Sequence, residues 1–168
     1  ACLDGGIVGP PVSDAGLTVL YLSGAPSPRD RFASLFDGGS LEVHPVGETM
    51  GSASAVKVAF AAWTKGTSAL LLAVRALAEA EGVVDGLDHA WSKLTPDLAQ
   101  RLPATARGTA PKAWRFVDEM HEIGRAFDAA GLPDGFHEAA AAIYAALGDL
   151  RDRTDVDVID VMRRLTND

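Results

Sequence analysis

The feature that most constrains this chain is the stretch Gly51–Gly82, GSASAVKVAFAAWTKGTSALLLAVRALAEAEG. Its residues are mostly helix formers, no proline interrupts it, and Gly82 stands where a helix would end. At 1.5 Å per residue, about 30 residues reach roughly 45 Å. A helix of that length in a small domain has to be wrapped by others. Val56, Phe60 and Trp63 form one apolar stripe, and Leu70, Leu71, Val74 and Leu77 continue it on a broad face. A helix apolar over most of its circumference is expected to be buried. Lys57 and Lys65 interrupt it. Lys57 lies between Val56 and Val58, where a cation is costly unless it is paired, snorkels to water or does chemistry. Residue type alone favours a snorkelling side chain; the sharper reading is a general acid/base tuned by desolvation. Lys65 is about 80° around the helix from Lys57, so the two cannot address one small atom, though they could line one cleft.

Composition narrows the function classes. The chain has 168 residues, 48% hydrophobic and 23% charged, which suits one soluble domain with a real core. Its formal net charge of −8, without a basic stripe, argues against nucleic acid and anionic membranes as partners. The single cysteine, Cys2, cannot form an internal disulfide, and no signal-peptide pattern opens the chain, so the cytoplasm is the expected location. Lys57, Lys65 and Arg75 break the best candidate for a membrane span. A start on Ala-Cys-Leu-Asp, in a strand-like run, suggests a fragment or a processed product; removal of an initiator Met before the small Ala1 is the alternative.

In order, residues 2–9 read as a short strand ending in a glycine bend, with Pro10 and Pro11 enforcing extended backbone. Leu17–Ser23 is the clearest strand. Ser27-Pro28 supplies a cap and a first-turn proline for a helix over about 28–36, and Leu41–Val46 is a third strand. After the long helix the chain is helical: about 84–93, then from Thr95-Pro96 to a limit or kink at Pro103, then 110–130 with Trp114, Val117, Met120, Ile123 and Phe127 on one face, then 134–150, then a last helix capped by Asp155. The expected class is mainly α, with about three short strands over 1–47 and a helical domain over 48–168. Three strands and one helix cannot cover their own sheet, which implies a partner: an upstream domain or a second copy.

Most chemical motifs fail on spacing. His121-Glu122 and His137-Glu138 each begin H-E-x-x-H, but Arg125 and Ala141 replace the second histidine, so structural or surface roles are expected. No G-x-S-x-G occurs; Ser54 and Lys57 fit S-x-x-K without its companion motifs. Gly5-Gly6-Ile7-Val8-Gly9 is not G-x-G-x-x-G, and prolines rather than a helix follow it. Asp118, Glu119 and Glu122 read as a solvated helix face, or as carboxylates pairing with a cleft lysine.

The order of features nevertheless resembles the β-hydroxyacid dehydrogenase superfamily, which includes the 6-phosphogluconate and 3-hydroxyisobutyrate dehydrogenases. Asp4-Gly5-Gly6-Ile7-Val8-Gly9-Pro10 stands where that family has D-A-x-V-S-G-G, and Gly16-Leu17-Thr18 where it has G-T-L. Gly51 through Lys57 matches the G-x-x-x-x-x-K that opens its long helix. The segments ASAVKVAFAAWTKGTSALLLAV, KAWRFVDEMHEIGRAF and GLPDGFHEAA look like a bacterial branch carrying a C-terminal domain of unknown function.

The resemblance implies that the strands end a Rossmann domain whose upstream part binds NAD or NADP. It implies Lys57 as the group relaying a proton while hydride passes to or from a small hydroxy acid, carbonyl or imine. It places Val8, Gly9 and Pro10 against the substrate, with Ala61, Lys65 and Glu119 on the substrate side and Gly51 toward the cofactor. It implies a homodimer through the long helix, no metal, and no turnover by this chain alone. Four departures stand out: Val8 for the family's serine, Pro10 for its second glycine, Ala61 for its asparagine, and Asp118-Glu119-Met120 for its K-D-L. They point to a less polar substrate, such as an imine or cyclic ketone. The alternative is a free-standing helical dimerisation or binding module without catalysis.

Overall fold

The computed structural model describes residues 2–13 and 16–166. The chain divides into two compact units, Ala1–Ala61 and Ala62–Asp168, with the long helix contributing to both. The fold is mainly α with a small sheet at the start, as the sequence predicts.

The first unit holds strands β1 (Asp4–Val8), β2 (Val19–Ser23) and β3 (Glu42–Pro45) in the order β1-β2-β3. β1 and β2 are antiparallel; β2 and β3 are parallel, joined through helix α1 (Pro26–Ala33) and a 3₁₀ turn at Ser34–Phe36. A parallel pair needs such a crossover because its strands run the same way. Helix α1 begins two residues earlier than the sequence suggests. Ala25 is its cap residue and Pro26 its first-turn proline, and Ser27 makes no capping bond. Pro26 is preset for a first helical turn, so it outcompetes the later Ser27-Pro28 signal.

The long helix is α2 (Ser52–Ala80). It ends as expected at Gly82, whose φ is +66°. Val83 N–H donates to Ala78 C=O at 2.9 Å and Gly82 N–H to Glu79 C=O at 3.1 Å, a Schellman ending. Its burial differs from the expectation. The buried face is mostly alanine (Ala62, Ala69, Ala76, Ala78) with Leu71 and Leu72, whereas Phe60, Trp63, Leu70 and Leu77 are 48–69% exposed.

The second unit continues with α3 (Val84–Leu94), α4 (Pro96–Thr109), α5 (Ala113–Ala129), α6 (Gly135–Ala146) and α7 (Val158–Thr166). Helix α4 runs through Pro103 rather than stopping there. The carbonyl that loses its partner belongs to Ala99, an exposed residue. Single 3₁₀ turns at Ala110–Lys112 and Gly148–Leu150 cut short the longer helices read from the sequence. The last helix is capped by Asp157, not Asp155. Asp160 N–H donates to Asp157 Oδ1 at 2.9 Å and Asp157 N–H to Asp160 Oδ2 at 3.3 Å, while Asp155 pairs with Arg153. The core gathers Leu72, Met120, Ile123, Tyr144, Leu147, Leu150 and Val161, all essentially inaccessible. Trp114, expected on the same face as Met120, lies outside it, 40% exposed under the Arg151 guanidinium.

Candidate functional site

The site begins with the start of α2. A helix leaves its first N–H groups without internal partners. Here two strands supply them. Ala53 N–H donates to Ser23 Oγ at 3.2 Å, and Ser54 N–H donates to Asp4 Oδ2 at 3.0 Å. The same carboxylate accepts from Ser54 Oγ at 2.5 Å and from Ser23 Oγ at 3.0 Å. Asp4 and Ser23 are opposite partners in the β1–β2 register, so their side chains share a face of the sheet. The Ser54 hydroxyl, then the Ser54 N–H, hold the Asp4 carboxyl below its ordinary value; Ser23 and the Ala53 N–H reinforce this against partial desolvation.

Two residues along β1, Gly6 lies on the same face, and it is the point of closest approach. A Cβ there would stand 2.6 Å from Ala53 O and 3.3 Å from Lys57 Cβ. Only glycine lets the strand lie so tightly on the first turns of α2. Val8 follows on that face and leads into the bend. Gly9 has a φ of +122°, and a Cβ there would meet Leu17 O at 2.5 Å. The bend is tied to β2 by Thr18 Oγ1, which donates to Pro10 C=O at 2.6 Å.

Lys57 therefore rises from a helix turn fixed by Asp4 and Ser23, with its Cβ against the strand that ends in Val8-Gly9-Pro10. Its side chain is exposed. The ammonium thus reaches water, as the reading of a snorkelling side chain expects, while the stem starts against the strand. No carboxylate among the described residues lies within ion-pair distance of its ammonium. Ala61, one turn on, is buried and presents no polar atom from its side chain. Gly51 has a φ of +96° with open space where a Cβ would stand.

Lys65 and Glu119 belong to the helical unit, where they satisfy each other. Lys65 Nζ is 2.6 Å from Glu119 Oε1 and 5.2 Å from the centre of the Phe116 ring. The alternative reading of Glu119, a carboxylate paired with a lysine, is the observed one. Buried Tyr144 donates its hydroxyl to Lys65 C=O at 2.6 Å, and burial pushes its phenol well above the ordinary value. Of the histidines, His121 Nδ1 meets Glu138 Oε2 at 2.8 Å near the surface. His137 is buried, its ring edge-on to Phe127, and Nδ1 has no partner among the described residues. Those residues contain no group of three metal-ligating side chains, and no helix among them is long and apolar enough to cross a membrane.

Among the described residues, the helix that follows β2 does not fit a dinucleotide's pyrophosphate: it is eight residues long and begins PSP. Pro26 and Pro28 have no N–H, and Arg29 N–H is already spent on Ala25 C=O, so too few donors remain to cradle a pyrophosphate. Asp4, Ser23 and Gly6 carry much of the site's geometry; Asp4 and Gly6 lie in the stretch singled out by resemblance, but their contacts with the start of α2 are not written in the sequence, because the partners lie tens of residues away.

Residues 78–147 match the sequence profile of a domain of unknown function, DUF1932. Among solved structures, the chain is similar to a conserved hypothetical protein from Sinorhizobium meliloti 1021, with 24% identity, a TM-score of 0.75, and coverage of 96% of this chain and 57% of that one. It is also similar to a conserved protein of unknown function described as structurally similar to 3-hydroxyacid dehydrogenases, with 24% identity, a TM-score of 0.68, and coverage of 88% and 56%. The chain thus spans little more than half the length of these structures, and likeness at this identity establishes the fold. No curated protein matches it. The resemblance read from the sequence, a dehydrogenase-like scaffold with a helical domain of unknown function, agrees with these findings.

Proposed function

We propose that this chain is the C-terminal catalytic and dimerisation part of an NAD(P)-dependent oxidoreductase, acting on a small hydroxy acid, carbonyl or imine. The observation that carries the reading is the seat of Lys57. The Asp4–Ser23 cap and the Gly6 contact fix its helix turn against β1, the strand that ends in the glycine bend. An exposed ammonium is able to bind a substrate oxygen and to give or take its proton as charge changes there. The family resemblance places the coenzyme, which supplies or accepts hydride, on a Rossmann domain upstream. The likeness of one structural relative to 3-hydroxyacid dehydrogenases supports the same class. Val8, Pro10 and Ala61 furnish few polar side-chain atoms, which favours a substrate with a single polar centre such as an imine or cyclic ketone.

The test is a comparison of the complete protein with the 168-residue chain. Titration with NADH and NADPH should show saturable nicotinamide fluorescence for the complete protein and none for the chain. A panel of hydroxy acids, ketones and cyclic imines should then give dinucleotide-dependent turnover. A complete protein that binds neither dinucleotide would leave a binding module without catalysis as the better reading.

A further inference from the structure

In the middle of α2, the stretch Thr64-Lys65-Gly66-Thr67-Ser68 interrupts the strong helix formers on either side. Glycine is weak in a helix interior because its backbone is free, and threonine and serine because their hydroxyls compete for backbone groups. That competition is visible here. Thr67 Oγ1 donates to Trp63 C=O at 2.7 Å, and Ser68 Oγ donates to Thr64 C=O at 2.8 Å. Tyr144, from α6, donates its hydroxyl to the next carbonyl, Lys65 C=O, at 2.6 Å. Three consecutive carbonyls thus take a side-chain hydrogen bond at the turn where helix propensity is lowest. Hydroxyls that bond back to the preceding turn, and side chains that enter the backbone ladder, are known causes of helix bending. The same turn is gripped from outside. Tyr144 is fully buried, its ring edge-on to Phe116. Phe136 leans on the bare face of Gly66, where a Cβ would stand 2.9 Å from its ring. Lys65 is held at both ends, its carbonyl by Tyr144 and its ammonium by Glu119.

We propose that Thr64–Ser68 is a joint in α2, a turn that opens by itself while the helix on both sides stays formed, and that the Tyr144 hydroxyl is its latch. The hydroxyls act in opposite directions. Thr67 and Ser68 lie within the helix, so when the turn opens they go on serving the carbonyls of Trp63 and Thr64, and opening costs little. Tyr144 comes from another helix, so it holds the Lys65 carbonyl only while the turn is closed. Beyond the joint, Leu71 and Leu72 anchor α2 in the core. Before it lies the part of α2 that bears Lys57. Release of the latch lets that part bend against the anchored one, the motion being taken up by a few residues.

Hydrogen exchange in the complete protein, read peptide by peptide along α2, tests the joint and the latch separately. In the native protein, residues 64–70 should exchange faster than residues 53–62 and 71–80. Tyr144→Phe keeps the ring and removes only the hydroxyl. It should speed exchange across 64–70 by about tenfold, the effect of losing one buried hydrogen bond, and leave both flanks at native rates. Thr67→Ala combined with Ser68→Ala, at half-buried positions, removes the competing hydroxyls and raises helix propensity. That pair should slow exchange across 64–70 by about fivefold. Equal protection of 64–70 and its flanks in the native protein overturns the joint. So does unchanged or faster exchange in the alanine pair, a result that stands even if Tyr144→Phe does not fold. Exchange that rises evenly along α2 in Tyr144→Phe, or does not rise at all, overturns the latch.

Discussion

Replacing Asp4 tests whether two strands really organise the long helix. Its carboxylate takes three hydrogen bonds, from Ser54 N–H, Ser54 Oγ and Ser23 Oγ. Losing a helix cap side chain costs about 1 kcal/mol. The charge at the helix N-terminus contributes roughly 0.3–1 kcal/mol more. Leaving the buried Ser23 hydroxyl without its acceptor adds about 1 kcal/mol. These overlap, and Ser54 reaches solvent, which screens the charged part. The expected cost of Asp4→Ala is therefore about 2 kcal/mol, or roughly 4–8 °C in Tm for a chain of this size. Asp4→Asn keeps one acceptor oxygen and should cost about half as much. The pH dependence follows from the sign of the shift. The folded-state pKa is depressed, so the stabilisation is present above the unfolded value near 3.8 and is lost as pH falls through the folded one. Urea melts followed by circular dichroism should thus show the gap between the native protein and Asp4→Asn closing below about pH 4. A cost under about 0.5 kcal/mol for Asp4→Ala, or a gap that persists unchanged at low pH, would refute the cap as the organising contact.

Gly6→Ala should destabilise the first unit by about 1–3 kcal/mol, read in the same melts, because its methyl would meet backbone at Ala53 O; a neutral effect would mean that the strand does not lie on the helix. His137 is buried without a partner for Nδ1, and burial lowers its pKa, so native stability should decline as pH falls below about 6.5. His137→Phe should flatten that decline between about pH 7 and 5, and equal slopes for the two proteins would count against it. Lys65 and Glu119 are each less than a third exposed, so a double-mutant cycle with Lys65→Met and Glu119→Gln should give a coupling of about 1 kcal/mol; zero coupling would make the pair ornamental.

What the sequence disclosed was whatever is written locally. The long helix was legible because uninterrupted helix formers and Gly82 are adjacent in the chain, and the α5 ending at Gly131 for the same reason: Leu132 N–H to Phe127 C=O, 2.9 Å. The scaffold was legible because the order of its strands, glycine bends and long helix resembles that of a known fold. Choices between nearby signals were not legible. Asp155 and Asp157 look alike in sequence, and only the reciprocal bond with Asp160 selects the second. Which side of α2 faces inward was not legible either. Hydrophobicity pointed to Phe60, Trp63 and Leu70, but the alanines form the buried side. Lys57 was singled out by a family resemblance, whereas the contacts that fix the helix turn beneath it, Ser54 with Asp4 and Ala53 with Ser23, were hidden because they span 50 and 30 residues.

The most direct test of the account is single-turnover hydride transfer in the complete protein carrying Lys57→Met, followed by nicotinamide absorbance beside native protein and Lys65→Met. If Lys57 moves the proton, its loss should slow the chemical step by about 10²–10⁴-fold and leave dinucleotide affinity unchanged. Lys65→Met should retain most of the rate, since Lys65 is engaged with Glu119. Native rates in the Lys57→Met protein would contradict the central claim.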